Sequence, residues 1–294
     1  MNHIFVRAFK SIFLAILGFI ASYFVYALSV ISLDFTNSSI NPENISPAVG
    51  TLLATRTGAV SIEKDFFIKS DLTINVPSDH STIEDAFNWL RDYHIQNGVT
   101  VTVKVSDGVY NFGSSISIHH INGNQIQLVG NTATPANVTI NCTTSCFILK
   151  NSAIGLIDGF TLIGTTNVGS AVDVHISSYA NLGASMVYQN FNQTVFANLK
   201  SYIDMRGGIV RDSGYNGVRS SLASTVFVEN ADIRNSEYGV FVYKLGYMTL
   251  VNTTSRDNST GSLNVGLRST VTITGSTVTN PGQNVSGESY IHSY

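Results

Sequence analysis

The chain has 294 residues and a formal net charge of −3; only 12% of its residues are charged, and its sixteen basic side chains are scattered. Soluble domains carry about twice that charged share, and nucleic-acid binders concentrate basic residues on one face. The composition therefore argues against a helical enzyme dressed in Lys and Glu, and against a nucleic-acid partner. Ser, Thr, Asn and Gly fill the gap, which suits a β-rich protein with small uncharged polar positions.

The N-terminal MNHIFVRAFK carries Arg7 and Lys10 and no acid, and Ile12 to Leu33 then follow without a charge. Twenty-two residues make about 33 Å of helix, enough to cross a hydrocarbon core of roughly 30 Å. The preceding basic residues favour a cytoplasmic N-terminus. Residues 12–33 thus read as an uncleaved membrane anchor. A cleaved signal peptide ending at Val25-Tyr26-Ala27 and a buried structural helix are the alternatives. Anchor and signal alike place the rest of the chain outside the cytoplasm. Residues 34–70, interrupted by Pro42 and Pro47, read as a stalk leading to a short strand pair.

Organised structure is expected from LTINV (72–76), which alternates like a strand. A helix over 82–94 follows, with Ser81 as N-cap, Glu84 completing a capping box, and Ile83, Ala86, Phe87 and Leu90 on one apolar face. Asn97-Gly98 ends it, and VTVTVKV (99–105) and VYNF (109–112) are strands around an SDG turn. Of the neighbours His119 and His120, only one can face a given side of a strand. Cys142 and Cys146 lie in NCTTSC. Four residues of extended strand span about 13 Å, beyond the roughly 7 Å that a disulfide tolerates, so a bridge requires a turn between them. No metal site is expected, because no second Cys or His pair lies nearby. The N-x-S/T sequons are about as frequent as chance allows and carry no glycosylation signal.

From about residue 115 to 280 the helical period disappears, and short apolar runs alternate with Gly and Asn. RDSGYNGV (211–218), RNSEYGV (234–240) and the Arg256-Asp257 turn recur at spacings of 22 and 23 residues. That period matches one coil of a parallel β-helix, three short strands joined by three turns. An all-β right-handed parallel β-helix over 71–280 is therefore expected, about eight coils of some 22 residues rising 4.8 Å each, roughly 40 Å in all. Residues 281–294 form a C-terminal tail. Val226, Val228, Ala231 and Ile233 point inward; Thr249, Val251 and Thr253 repeat that set, and Val271, Ile273 and Val278 add a layer. The helix 82–94 covers the exposed first coil, whose bare strand edges would otherwise aggregate.

The segments LTINVPSDHSTIEDAFNWLRDYHIQNGVTVTVKVSDGVYNF (72–112) and SISIHHINGNQIQLVGN (115–131) resemble the entry module of pectate-lyase-like right-handed β-helix proteins of phage tail spikes and tail fibres. The resemblance is close over residues 71–130 and extends beyond them by pattern. It implies a virion component, and the apolar front fits either a membrane-anchored surface protein or a capsid protein of a virus with an internal membrane. It also implies surface polysaccharide, other virion proteins or further copies of the chain as partners. Relatives that cleave polysaccharide use acidic residues with calcium and an Arg base, or clustered Asp residues.

Glycoside hydrolysis needs two carboxylates about 5 Å or 6.5–9.5 Å apart. Stacking should hold Asp212 and Asp257 about 10 Å apart, with the non-ionisable Asn235 between them. That is a structural polar ladder. Asp204, beside Arg206, and Asp212 are the candidate catalytic acids if the chain is a lyase or hydrolase, with calcium as the cofactor in the lyase case; Asp158 and Asp173 stand alone. Arg211, Arg234 and Arg256 form one column, a candidate glycan-binding stripe once Asp212, Asp232 and Asp257 neutralise its repulsion. Tyr179, Tyr188, Tyr202, Tyr215, Tyr238, Tyr243 and Tyr247 are candidate sugar-stacking rings. The preferred function is a non-catalytic structural or adhesive protein without a cofactor; the alternative is a polysaccharide lyase or hydrolase.

Overall fold

The structure, a computed structural model, describes residues 66–294 except 166, 168, 280 and 281. The apolar segment Ile12–Leu33 lies outside the described residues. No helix among those described is long and apolar enough to cross a membrane.

The described chain winds into a right-handed parallel β-helix of about ten turns. Face 1 is a ten-stranded sheet; face 2, which starts at Gly108–Phe112, and face 3, which starts at Ile116–Ile118, have eight strands each. Eight complete three-strand coils are therefore bounded by one extra face-1 strand at each end, Leu72–Val76 and Tyr290–Ser293. Every neighbouring pair is parallel and in sequence order, so each coil hydrogen-bonds only to the coils before and after it. Two boundaries shift. Phe67–Ile68, inside the segment read as stalk, pairs with His94–Ile95. Residues 281–294 are not a tail, since Gln283–Val285 and Tyr290–Ser293 extend faces 3 and 1.

The interior is built from columns. Ile154, Ala180, Ile203, Val226, Met248 and Val271 stack behind face 1, and Val172, Val195, Val218, Val240 and Leu263 behind face 3. All are fully buried. Val226, Val228, Ala231 and Ile233 point inward as expected, but Thr249 and Val251 do not. Val226 pairs with Met248 and Val228 with Leu250, and a one-residue slip turns a strand's whole side-chain set to the opposite face. The β-branched Val251 looks core-like, yet Met248 and Leu250, neither branched at Cβ, occupy the inside.

The corners explain the recurring turn. Asn190, Asp212, Asn235 and Asp257 occupy one stacked position between faces 2 and 3, all at φ of 54 to 62°. Asn and Asp enter this left-handed region more readily than other side chains. Asn230 and Asn252 do the same between faces 1 and 2. Between faces 3 and 1 the turn takes two left-handed residues in succession, as at Leu199–Lys200, Leu222–Ala223 and Leu267–Arg268. A serine follows. Its hydroxyl oxygen accepts the N–H of the equivalent serine one coil earlier: Ser178 from Ser152, Ser201 from Ser178, Ser224 from Ser201, and Ser289 from Ser269. At Gly246 the ladder breaks, because a Cβ there would lie 2.6 Å from the Ser220 carbonyl. The N–H of Ser224 bonds Ser221 O instead.

The cap is helix α1, Ile83–Leu90, shorter than expected. Its N-cap is Thr82, whose hydroxyl accepts the Asp85 N–H, while Ser81 donates to the Asp85 carboxylate at 2.5 Å. Neither Ser81 nor Glu84 forms the expected box. The helix stops before 94 because His94–Ile95 are drawn into the two-stranded sheet. Ile83, Ala86, Phe87 and Leu90 bury against the first coil as one face of α1. His120 locks the far end. Its Nδ1 accepts the Asn122 N–H at 2.9 Å, so Nε2 carries the proton and donates to Leu90 O and Tyr93 O, both at 3.0 Å. A carbonyl at the helix end thereby finds a partner.

Candidate functional site

Arg211, Arg234 and Arg256 stand in register on face 2, all outward. Asp232 holds Arg234 at 2.9 Å and Arg256 at 3.1 Å, and Asp257 holds Arg256 at 2.7 Å. Asp257 first, then Asp232, makes Arg256 harder to deprotonate than a free arginine. Arg211 has only Asp212, at 3.9 Å. Exposed ion pairs of this kind add little stability; their effect is to cancel repulsion down the column. Asn235 Nδ2 donates to Asp212 Oδ1 at 3.2 Å, so the Asp212–Asn235–Asp257 stack is a hydrogen-bonded ladder at its lower step. Two grooves flank the arginines. One of about 510 Å³ runs past Asn230, Asp232 and Asn252, and another of about 490 Å³ past Asn235, Glu237 and Asp257.

Asp204 and Asp212 are not brought together. Asp204 lies on face 1, outward but only 8% exposed, while Asp212 turns the corner between faces 2 and 3. Both carboxylate oxygens of Asp204 are gripped by Arg206, each at 2.8 Å. The same guanidinium reaches Glu229 at 2.9 Å and lies 5.1 Å over the Phe227 ring. Asp158 accepts the N–H groups of Gly159 and Ser185, a corner fastening. Asp173 pairs with His175. Among the described residues no three His, Cys, Asp or Glu side chains gather closely enough to hold a metal ion.

The tyrosines divide by column. Tyr188 points inward and is fully buried, and burial pushes its hydroxyl pKa far up; it is a core residue. Tyr179 and Tyr202 stack on face 1 with ring centroids 5.5 Å apart and planes 8° from parallel. Burial, then Asp204, raises both hydroxyl pKa values. Tyr215, Tyr238 and Tyr243 gather about Phe241 beside face 3. Cys142 and Cys146 are joined across the turn between faces 2 and 3, with Cα atoms 5.5 Å apart. No family model, curated protein or solved structure matches this chain. The geometry alone carries the functional argument.

Arg219 stacks between Phe196 and Phe241 on face 3; no clear strand signal marks its own strand in the sequence, because Gly217 and the serines dilute the apolar pattern. The Ser178–Tyr179, Ser201–Tyr202, Ser224–Thr225, Ser269–Thr270 and Ser289–Tyr290 recurrence would have aligned these coils.

Proposed function

We propose that the chain is a non-catalytic structural or adhesive β-helix of the tail-spike type, displayed on a virion or cell surface and tethered through Ile12–Leu33. One observation carries the non-catalytic half. Four carboxylates are held in pairs by a shared arginine: Asp204 and Glu229 on Arg206, Asp232 and Asp257 on Arg256. Each of these carboxylates is taken up by a guanidinium, and none is left converging with a second acid on a common sugar oxygen, as glycosidic cleavage requires. The Cys142–Cys146 bridge suits an oxidising compartment.

The surface half is tested on the full chain expressed in a membrane-enclosed host. The protein should resist extraction by salt and alkali, be digested by protease added outside intact cells, and retain residues 12–33 by mass spectrometry. A mature N-terminus near Leu28 would remove the tether. Thiols that alkylate without prior reduction, on protein protected from external protease, would overturn the external location.

A further inference from the structure

Arg219 is the exception among the arginines of the coils. Arg206, Arg211, Arg234, Arg256 and Arg268 each face a carboxylate; among the described residues none pairs with Arg219. Its guanidinium carbon lies 4.8 Å from the Phe196 ring centroid and 5.5 Å from that of Phe241, one coil to either side. Nη1 donates to Gln193 Oε1 at 2.9 Å; among the described residues Nη2 meets no acceptor and the buried Nε finds none. Burial lowers the pKa of Arg219; Tyr215 and then Tyr243 oppose the shift. A charge half-removed from water without a counter-ion is costly. Two rings fix the plane of the fork, so little entropy remains to be lost when a carboxylate docks end-on across Nη1 and Nη2.

The surroundings define the rest of the ligand. Tyr238, Tyr215 and Tyr243 pack about Phe241 with centroids 5.4, 5.9 and 5.8 Å away, giving apolar ring faces tipped with hydroxyls. The central strand Asn216–Ser221 is hydrogen-bonded on both edges, so it cannot take up a peptide by strand addition. Recognition must run through side chains. A carboxylate beside a hydroxyl-rich ring with an apolar face is a carboxylated sugar. We propose that face 3 binds an acidic glycan, its carboxylate on the Arg219 fork and its rings on Tyr215, Tyr238 and Tyr243. This deepens the adhesive function proposed above and rests on it.

The full chain in mild detergent would be titrated with polygalacturonate, its fully methyl-esterified form, polysialic acid and poly-glutamate. Either acidic glycan should bind, and loss of the charge on esterification should weaken the uronate by about tenfold or more. Arg219→Lys keeps the charge but not the planar fork and should cost about tenfold; Tyr243→Ala should weaken binding with an unchanged melting temperature. Equal binding by Arg219→Lys and the parent would overturn the site while leaving an adhesive role standing. Poly-glutamate binding as tight as polygalacturonate would show a peptide or generic anion site instead. Failure to bind either acidic glycan would overturn the proposal and leave a purely structural protein. Cleavage of a glycan would contradict the non-catalytic function itself.

Discussion

Two residues carry testable consequences of how the coils are fastened. Ser201 is 2% exposed, and its hydroxyl accepts the buried N–H of Ser178. Ser201→Ala strips that donor of its partner, which costs about 1–3 kcal/mol. Lys200→Ala, at the exposed neighbouring position, should stay within about 0.5 kcal/mol; urea unfolding of the pair would show the contrast. His120 gives a pH signature. Burial, opposed by its bonds to Leu90 O and Tyr93 O and reinforced by His94 and His119, lowers its pKa below the ordinary 6.5. Between the two values the unfolded chain binds a proton that the folded chain refuses. Stability should therefore fall as pH drops below about 6.5 and level off at the folded value, by at most about 1.4 kcal/mol per pH unit. In His120→Gln that slope should vanish; an unchanged slope would assign it elsewhere. The charge pairs of the arginine column were readable because Arg and Asp recur at fixed offsets. The unpaired Arg219 was not, since its meaning lies in Phe196 and Phe241, one coil away on either side.

At the scale of elements, strands with clean alternation declared themselves: Leu72–Val76 and Val101–Val105 match their sequence signals. The stretch 172–221 did not, because three-to-six-residue strands punctuated by Ser and Asn leave too little periodicity to separate strand from loop. Its order comes from neighbouring coils, an interaction no local window contains. The cap was legible as an amphipathic helix, while its ends were decided by tertiary contacts, with Thr82 as the cap and His94–Ile95 captured by Phe67–Ile68. Phe87 is 3% exposed beneath that helix. Phe87→Asp would bury an unpaired charge and lift the cap, and soluble yield should collapse into aggregates. Phe87→Leu keeps most of the apolar volume and should cost no more than about 1–2 kcal/mol. An Asp variant as soluble and heat-stable as the parent would show that the first coil needs no cover.

For the whole β-helix, the stacking that makes the fold legible also limits its chemistry. Equivalent positions recur every coil, so a side chain chosen for one rung meets near-copies of itself above and below. Like charges then require interleaved partners, as Asp232 provides for Arg234 and Arg256. Such a surface lends itself to repetitive binding more readily than to the asymmetric acid–base pair that glycosidic cleavage demands. The most direct test is prolonged incubation of the full chain with acidic polysaccharide, with and without calcium, followed by the polysaccharide's length distribution and its co-elution with protein. The account predicts co-elution with chain length unchanged. Progressive shortening, lost in Asp204→Ala or Asp212→Ala, would contradict it.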